Sequence, residues 1–108
     1  MLFVLENDDY KDKKNLIAKF EVAYGSKEFF KLAIEMLSSR YKREFTAFCK
    51  HFGYNYKPMT LVAIGKEMNI SNSRVSQLSR KAFRVLIHPK YRKQIWEEHG
   101  YKAASENN

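Results

Sequence analysis

Seven basic side chains fall between residues 68 and 96, namely Arg74, Arg80, Lys81, Arg84, Lys90, Arg92 and Lys93, with no Asp or Glu among them. Cations concentrated in this way neutralise phosphates, and each phosphate contact strengthens binding to a polyanion by releasing counterions. The chain carries 20 Lys and Arg against 12 Asp and Glu, a net charge of +8, so outside this stretch the remaining thirteen cations nearly balance the twelve acids. Beside the first of the cations stand Ser71, Asn72, Ser73, Ser76 and Gln77, whose hydroxyl and amide groups can hydrogen-bond base edges. Together Ser71, Asn72, Ser73, Arg74, Ser76, Gln77, Arg80, Lys81 and Arg84 read as a DNA-binding surface, with double-stranded DNA as the partner. Taken alone, the charge has a plainer reading as a solvated basic helix.

The elements that must position these side chains lie in residues 60–86. Leu61, Ile64, Met68, Ile70, Val75 and Leu78 fall where two short helices crossing at a steep angle need inward side chains, the outline of a helix-turn-helix. Gly65 is expected where the two helices touch, since a residue lacking Cβ admits close backbone approach. Asn69 suits a left-handed turn residue, and Ser71 suits the N-cap of the second, basic helix.

The remainder of the chain reads as helix as well. Leu16, Ile17, Phe20 and Tyr24 share one helix face ended by Gly25, and Ser26 is placed to cap the next helix. Phe30, Ala33, Ile34 and Leu37 recur at helical spacing, continued by Tyr41, Phe45, Phe48 and Phe52, with a break expected at Ser38 and Ser39 and an end at Gly53. Pro58 marks a turn before Thr60, and His88 with Pro89 ends the basic helix ahead of a last one over residues 90–98. Residues 6–14 have no apolar periodicity and read as a charged loop, while residues 2–5 are the one stretch with a strand-like alternation. The fold expected is all-α, a compact helical domain built on the helix-turn-helix. Its divisions are an N-terminal extension over residues 1–25, the helix-turn-helix domain over 26–99 and a disordered tail over 100–108.

Several function classes are disfavoured. No run of about 18 apolar residues is present to span a membrane, and the opening apolar residues meet Glu6 at once, so a cytoplasmic protein is expected. The single Cys49 sits among Phe45, Phe48 and Phe52 at helical spacing and reads as a buried thiol. His51, His88 and His99 are scattered, and Cys49 with His51 is too sparse a pair for zinc. No catalytic residue, metal or cofactor is expected. The fifteen Tyr and Phe recur mostly at core spacing and read as packing residues rather than stacking platforms for bases.

Residues 60–92 resemble region 4.2 of the bacterial primary sigma factors. The resemblance is carried by Thr60 and Leu61, by Ile64, Gly65 and Lys66, by Ile70 and Ser71, by Arg74, Val75 and Gln77, and by Lys81, Ala82, Arg84, Leu86, His88 and Pro89. Upstream, Arg43 and Glu44 followed by Phe48, Phe52 and Gly53 resemble region 4.1, and residues 29–37 resemble the helix before it. The resemblance, to a bacterial family, implies two activities, and the small size points to a phage or plasmid origin. The second helix would enter the major groove of the minus-35 promoter element, and other surfaces would hold the flap of the RNA polymerase beta subunit. The family reads bases with an arginine and a glutamate at the start of that helix and a glutamine one turn later; here those positions are Asn72, Ser73 and Gln77. Asn72 and Ser73 cannot reproduce the guanine and cytosine contacts, each worth roughly 1 to 3 kcal/mol of discrimination, so a different element is expected. Arg74, Arg80 and Arg84 are expected on phosphates, with a salt bridge from Arg74 to Glu67 as a structural alternative. A sigma mimic that occupies the polymerase flap without reading DNA is the second reading. Oligomeric state stays open: a monomer would read one short element and a homodimer an inverted repeat.

Overall fold

The computed structural model describes residues 5–100. Among them the chain forms six α-helices and no strand: α1 (Leu16–Tyr24), α2 (Lys27–Arg40), α3 (Lys42–Phe52), α4 (Leu61–Met68), α5 (Asn72–Ile87) and α6 (Pro89–Ile95). A 3-10 turn (Asn7–Lys11) precedes them and a π turn (Trp96–Gly100) follows. The expected strand over residues 2–5 lies almost wholly outside the described residues, as does all but the first residue of the expected tail over 100–108.

Local chemistry sets the helix ends. Ser26, Thr60 and Ser71 each accept a backbone N–H three residues on, from Phe29, Ala63 and Arg74, at 3.0, 3.1 and 3.1 Å. The last helix is capped by His88, whose Nδ1 accepts the Lys90 N–H at 3.1 Å, with Pro89 at the first helical position. Left-handed residues close three of the helices: Gly25 (φ 102°), Gly53 (φ 77°) and Asn69 (φ 59°). Helix α2 runs on through Ser38 and Ser39, and the break falls at Tyr41 instead, with φ −126° and ψ 56°. Ser39 donates its hydroxyl to the Met36 carbonyl at 2.7 Å, so the serine pair is accommodated within the last turn. The charged loop expected over residues 6–14 is in part ordered. Glu6 N–H donates to Asp9 Oδ2 at 2.8 Å, and Lys19 bridges Asp9 and Asp12 at 3.0 and 2.9 Å, tying the 3-10 turn to α1.

Two apolar clusters hold the helices together. The larger gathers Phe20 and Tyr24 from α1, Phe30, Ala33 and Leu37 from α2, Phe45, Phe48 and Phe52 from α3, and Phe83 and Leu86 from α5. Phe20 stacks on Phe30 at 5.4 Å and meets Phe48 and Phe83 edge-on at 6.0 and 5.7 Å, so one ring joins four helices. Burying each such ring contributes about 1.5–3 kcal/mol. Residues 1–25 therefore supply core, through Leu5, Tyr10, Leu16, Phe20 and Tyr24. Tyr24 also donates its hydroxyl to the Leu86 carbonyl at 2.7 Å, satisfying an acceptor that the end of α5 would otherwise leave without an intrahelical partner.

The smaller cluster belongs to the helix-turn-helix: Ala47 of α3, Ile64 of α4, and Val75 and Leu78 of α5, flanked by Met59, Leu61, Met68 and Ile70. Gly65 is buried beneath the turn rather than between two helix barrels. A Cβ there would stand 2.7 Å from the Ile70 carbonyl oxygen and 3.5 Å from the Asn72 nitrogen. Alanine favours a helix over glycine by about 1 kcal/mol. The backbone clash outweighs that gain, and Gly65→Ala is expected to destabilise the protein by about 1–3 kcal/mol. Thermal denaturation followed by circular dichroism checks this; an unchanged or raised midpoint would mean the turn has room.

Candidate nucleic-acid interface

Helix α5 is pinned along one face and open along the other. Val75, Leu78, Ser79, Ala82, Phe83, Val85 and Leu86 are buried, whereas Asn72, Ser73, Arg74, Gln77, Arg80, Lys81 and Arg84 are exposed and Ser76 is half-buried. A rigidly held helix with a polar outer face, preceded by a capped turn and a short second helix, has the geometry of a major-groove reader.

The individual side chains differ in how free they are. Ser71 is committed to capping α5 through its Oγ. Arg74 Nη1 donates to Gln77 Oε1 at 3.4 Å across one turn, and Glu67 is paired instead with Lys50 at 3.5 Å, so the Arg74 to Glu67 bridge does not form. Lys81 leans toward α3, 3.6 Å from the Glu44 carboxylate and 5.5 Å from the centre of the Tyr41 ring. Arg80 and Arg84 face no carboxylate at ion-pair distance among the described residues. The basic stretch thus divides by partner and by helix. Arg92 and Lys93, on α6, line an apolar groove with Ala23, Tyr24, Phe29, Pro89 and Trp96, and Lys93 also meets Glu97 at 4.0 Å.

Two residues that sequence reading passed over sit against this face. Ser79 is fully buried within α5 and accepts a hydrogen bond from the Tyr10 hydroxyl at 3.0 Å, joining positions 69 residues apart. The Arg80 guanidinium lies 4.5 Å from the centre of the Tyr10 ring. A lone tyrosine in the charged stretch over residues 6–14 has no periodicity to announce it.

His51 and His88 are occupied structurally, and Cys49 is buried. His88 caps α6, and His51, its basicity lowered by burial, points Nδ1 at the Met59 carbonyl at 3.4 Å. Among the described residues no three His, Cys, Asp or Glu side chains gather as metal ligands.

The fold defines a helix-turn-helix domain whose second helix presents a polar, basic outer face. Residues 35–88, half of the chain, match the family model described as Sigma-70, region 4, and the chain belongs to that family. The match runs from α2 to the end of α5 and leaves the 3-10 turn, α1 and α6 outside it. No curated protein and no solved structure matches the chain. The family's function is DNA binding in transcription, and its domains are regulatory rather than catalytic. Among the described residues no helix is long and apolar enough to cross a membrane.

Cys49 permits a direct check of the core beneath the interface. Burial pushes its thiol up to about 12, which leaves on the order of one molecule in ten thousand ionised at pH 8. A disulfide-exchange reagent is expected to label the folded protein only through unfolding, with full labelling in denaturant; rapid native labelling would show α3 to be open.

Proposed function

We propose that this chain is a transcription regulator of the sigma region 4 kind, which reads promoter DNA in the major groove with α5 and docks on RNA polymerase, in the bacterial or phage cytoplasm. The observation that carries the reading is the exposed row Asn72, Ser73, Gln77, Arg80 and Arg84 on a helix whose opposite face is buried. Amides at Asn72 and Gln77 suit adenine edges, and Arg80 and Arg84, which face no carboxylate at ion-pair distance among the described residues, suit phosphates. Ser71, Ser73, Arg74, Ser76 and Lys81 complete the surface as capping, flanking or backbone contacts. Within this proposal residues 26–99 form the functional unit, on which Leu5, Tyr10, Leu16, Phe20 and Tyr24 pack.

The second reading, a sigma mimic held on the polymerase beta flap, draws support from Asn72 and Ser73 standing where the family carries an arginine and a glutamate. DNA binding measured across a salt series separates the two. Under the first reading log affinity falls steeply with log salt, by about 0.9 per phosphate neutralised, and Arg84→Gln lowers that slope by about 1. On a duplex recovered by selection from random DNA, Gln77→Ala is expected to cost about 1–3 kcal/mol of discrimination. Weak, salt-insensitive DNA binding, together with polymerase binding indifferent to Asn72→Ala and Gln77→Ala, would overturn the first reading in favour of the second.

A further inference from the structure

We propose that the N-terminal 3-10 turn is part of the DNA-binding surface, with Tyr10 acting as a positioning residue that presents the Arg80 guanidinium to a backbone phosphate. The proposal rests on the reading of α5 as the DNA-facing helix and extends it to residues outside the family match.

Tyr10 is held from several directions. Its ring meets Phe52 and Phe83 edge-on at 5.0 and 5.2 Å, and its hydroxyl bonds the buried Ser79. The turn that carries it is fixed to α1 through the Lys19 bridges to Asp9 and Asp12. Over this immobile ring lies the Arg80 guanidinium. Ser79 and Arg80 are consecutive, so one tyrosine grips α5 at an inward residue and at the outward residue beside it. Arg80 follows Gln77 by three positions and precedes Arg84 by four, which places all three on one stripe of the helix.

Stacking on an aromatic ring engages the flat face of a guanidinium and leaves its N–H donors, which lie in the plane, available to a phosphate. The contact with the ring, 4.5 Å from the guanidinium carbon to its centre, also removes rotamers that a free arginine would lose on binding, so the cation is preorganised. Lys50, Lys81 and Lys93 each face a carboxylate, whereas Arg80 faces none among the described residues. Of the acids in this segment, Asp9 and Asp12 share the single cation of Lys19, which offsets one of their two charges. Glu6 and Asp8 border a shallow groove with Ile87, which lies about 10 Å further along α5 from Arg80 at 1.5 Å per residue. Arg80 of α5 is thus held by the turn near the middle of that helix, with the paired Asp9 and Asp12 drawn to Lys19 and Glu6 and Asp8 toward the helix end.

The test is a salt series of fluorescence anisotropy with a random-sequence DNA duplex, using the full chain and the variants Arg80→Gln, Tyr10→Leu, Tyr10→Phe and Tyr10→Leu with Arg80→Gln. Arg80→Gln is expected to lower the slope of log affinity against log salt by about 1. Tyr10→Leu is expected to weaken binding about threefold to tenfold when Arg80 is present and less than about twofold when it is Gln, because the effect passes through the guanidinium. Tyr10→Phe, which keeps the ring, should restore most of what Tyr10→Leu loses. Equal losses from Tyr10→Leu in both backgrounds would show a purely structural role and overturn the proposal. An unchanged slope in Arg80→Gln overturns it whether or not Tyr10→Leu folds. If Arg84→Gln lowers the slope while Arg80→Gln does not, the DNA reading stands and the role of Tyr10 fails alone. Absence of salt-dependent DNA binding by the unaltered protein overturns both.

Discussion

The structure depends on the immobilisation of one face of α5. Phe83 and Leu86 sink into the aromatic cluster shared with α1, α2 and α3, while Val75 and Leu78 sink into the separate cluster of the helix-turn-helix. A helix held in two clusters along its length resists rolling about its axis, because rotation would lift buried apolar side chains into water at both places. Polar anchors act in the same sense. Tyr24 takes up the Leu86 carbonyl near the end of α5, Tyr10 bonds Ser79 at its middle, and Ser71 caps its start. The outward set Asn72, Ser73, Gln77, Arg80 and Arg84 is consequently presented as a fixed array, which is what base reading requires of a helix in a groove.

Much of this frame was legible in the sequence because it rests on short-range rules. The caps at Ser26 and Ser71, the left-handed residues Gly25, Gly53 and Asn69, and the stop at His88 and Pro89 each involve partners within a few positions. The apolar spacing of α3 to α5 was readable for the same reason. The break between α2 and α3 was misplaced because serine weakens a helix only when its hydroxyl draws the backbone away, and Ser39 instead bonds the Met36 carbonyl within the helix.

What escaped reading is long-range. Tyr10 reaches across 69 positions to Ser79, and neither its place in a charged segment nor the third serine of α5 hints at the other. The fate of each cation was hidden likewise. Lys81 and Arg80 are neighbours in sequence, but the first turns to Glu44 on α3 and the second to an aromatic ring from the N-terminal turn. Counting charges marks the basic stretch, and only packing decides which of its cations face a carboxylate and which an aromatic ring.

The most direct test of α5 as the DNA-facing element is a titration of the isotope-labelled protein with a duplex DNA, followed by amide chemical shifts residue by residue. If α5 carries the interface, saturable shifts concentrate over residues 71–84 and on the flanking turn near Tyr10, and the groove between α1 and α6 stays unchanged. Shifts confined to that groove or to α2, or no saturable shift at low salt, would contradict it and move the protein's partner to another surface.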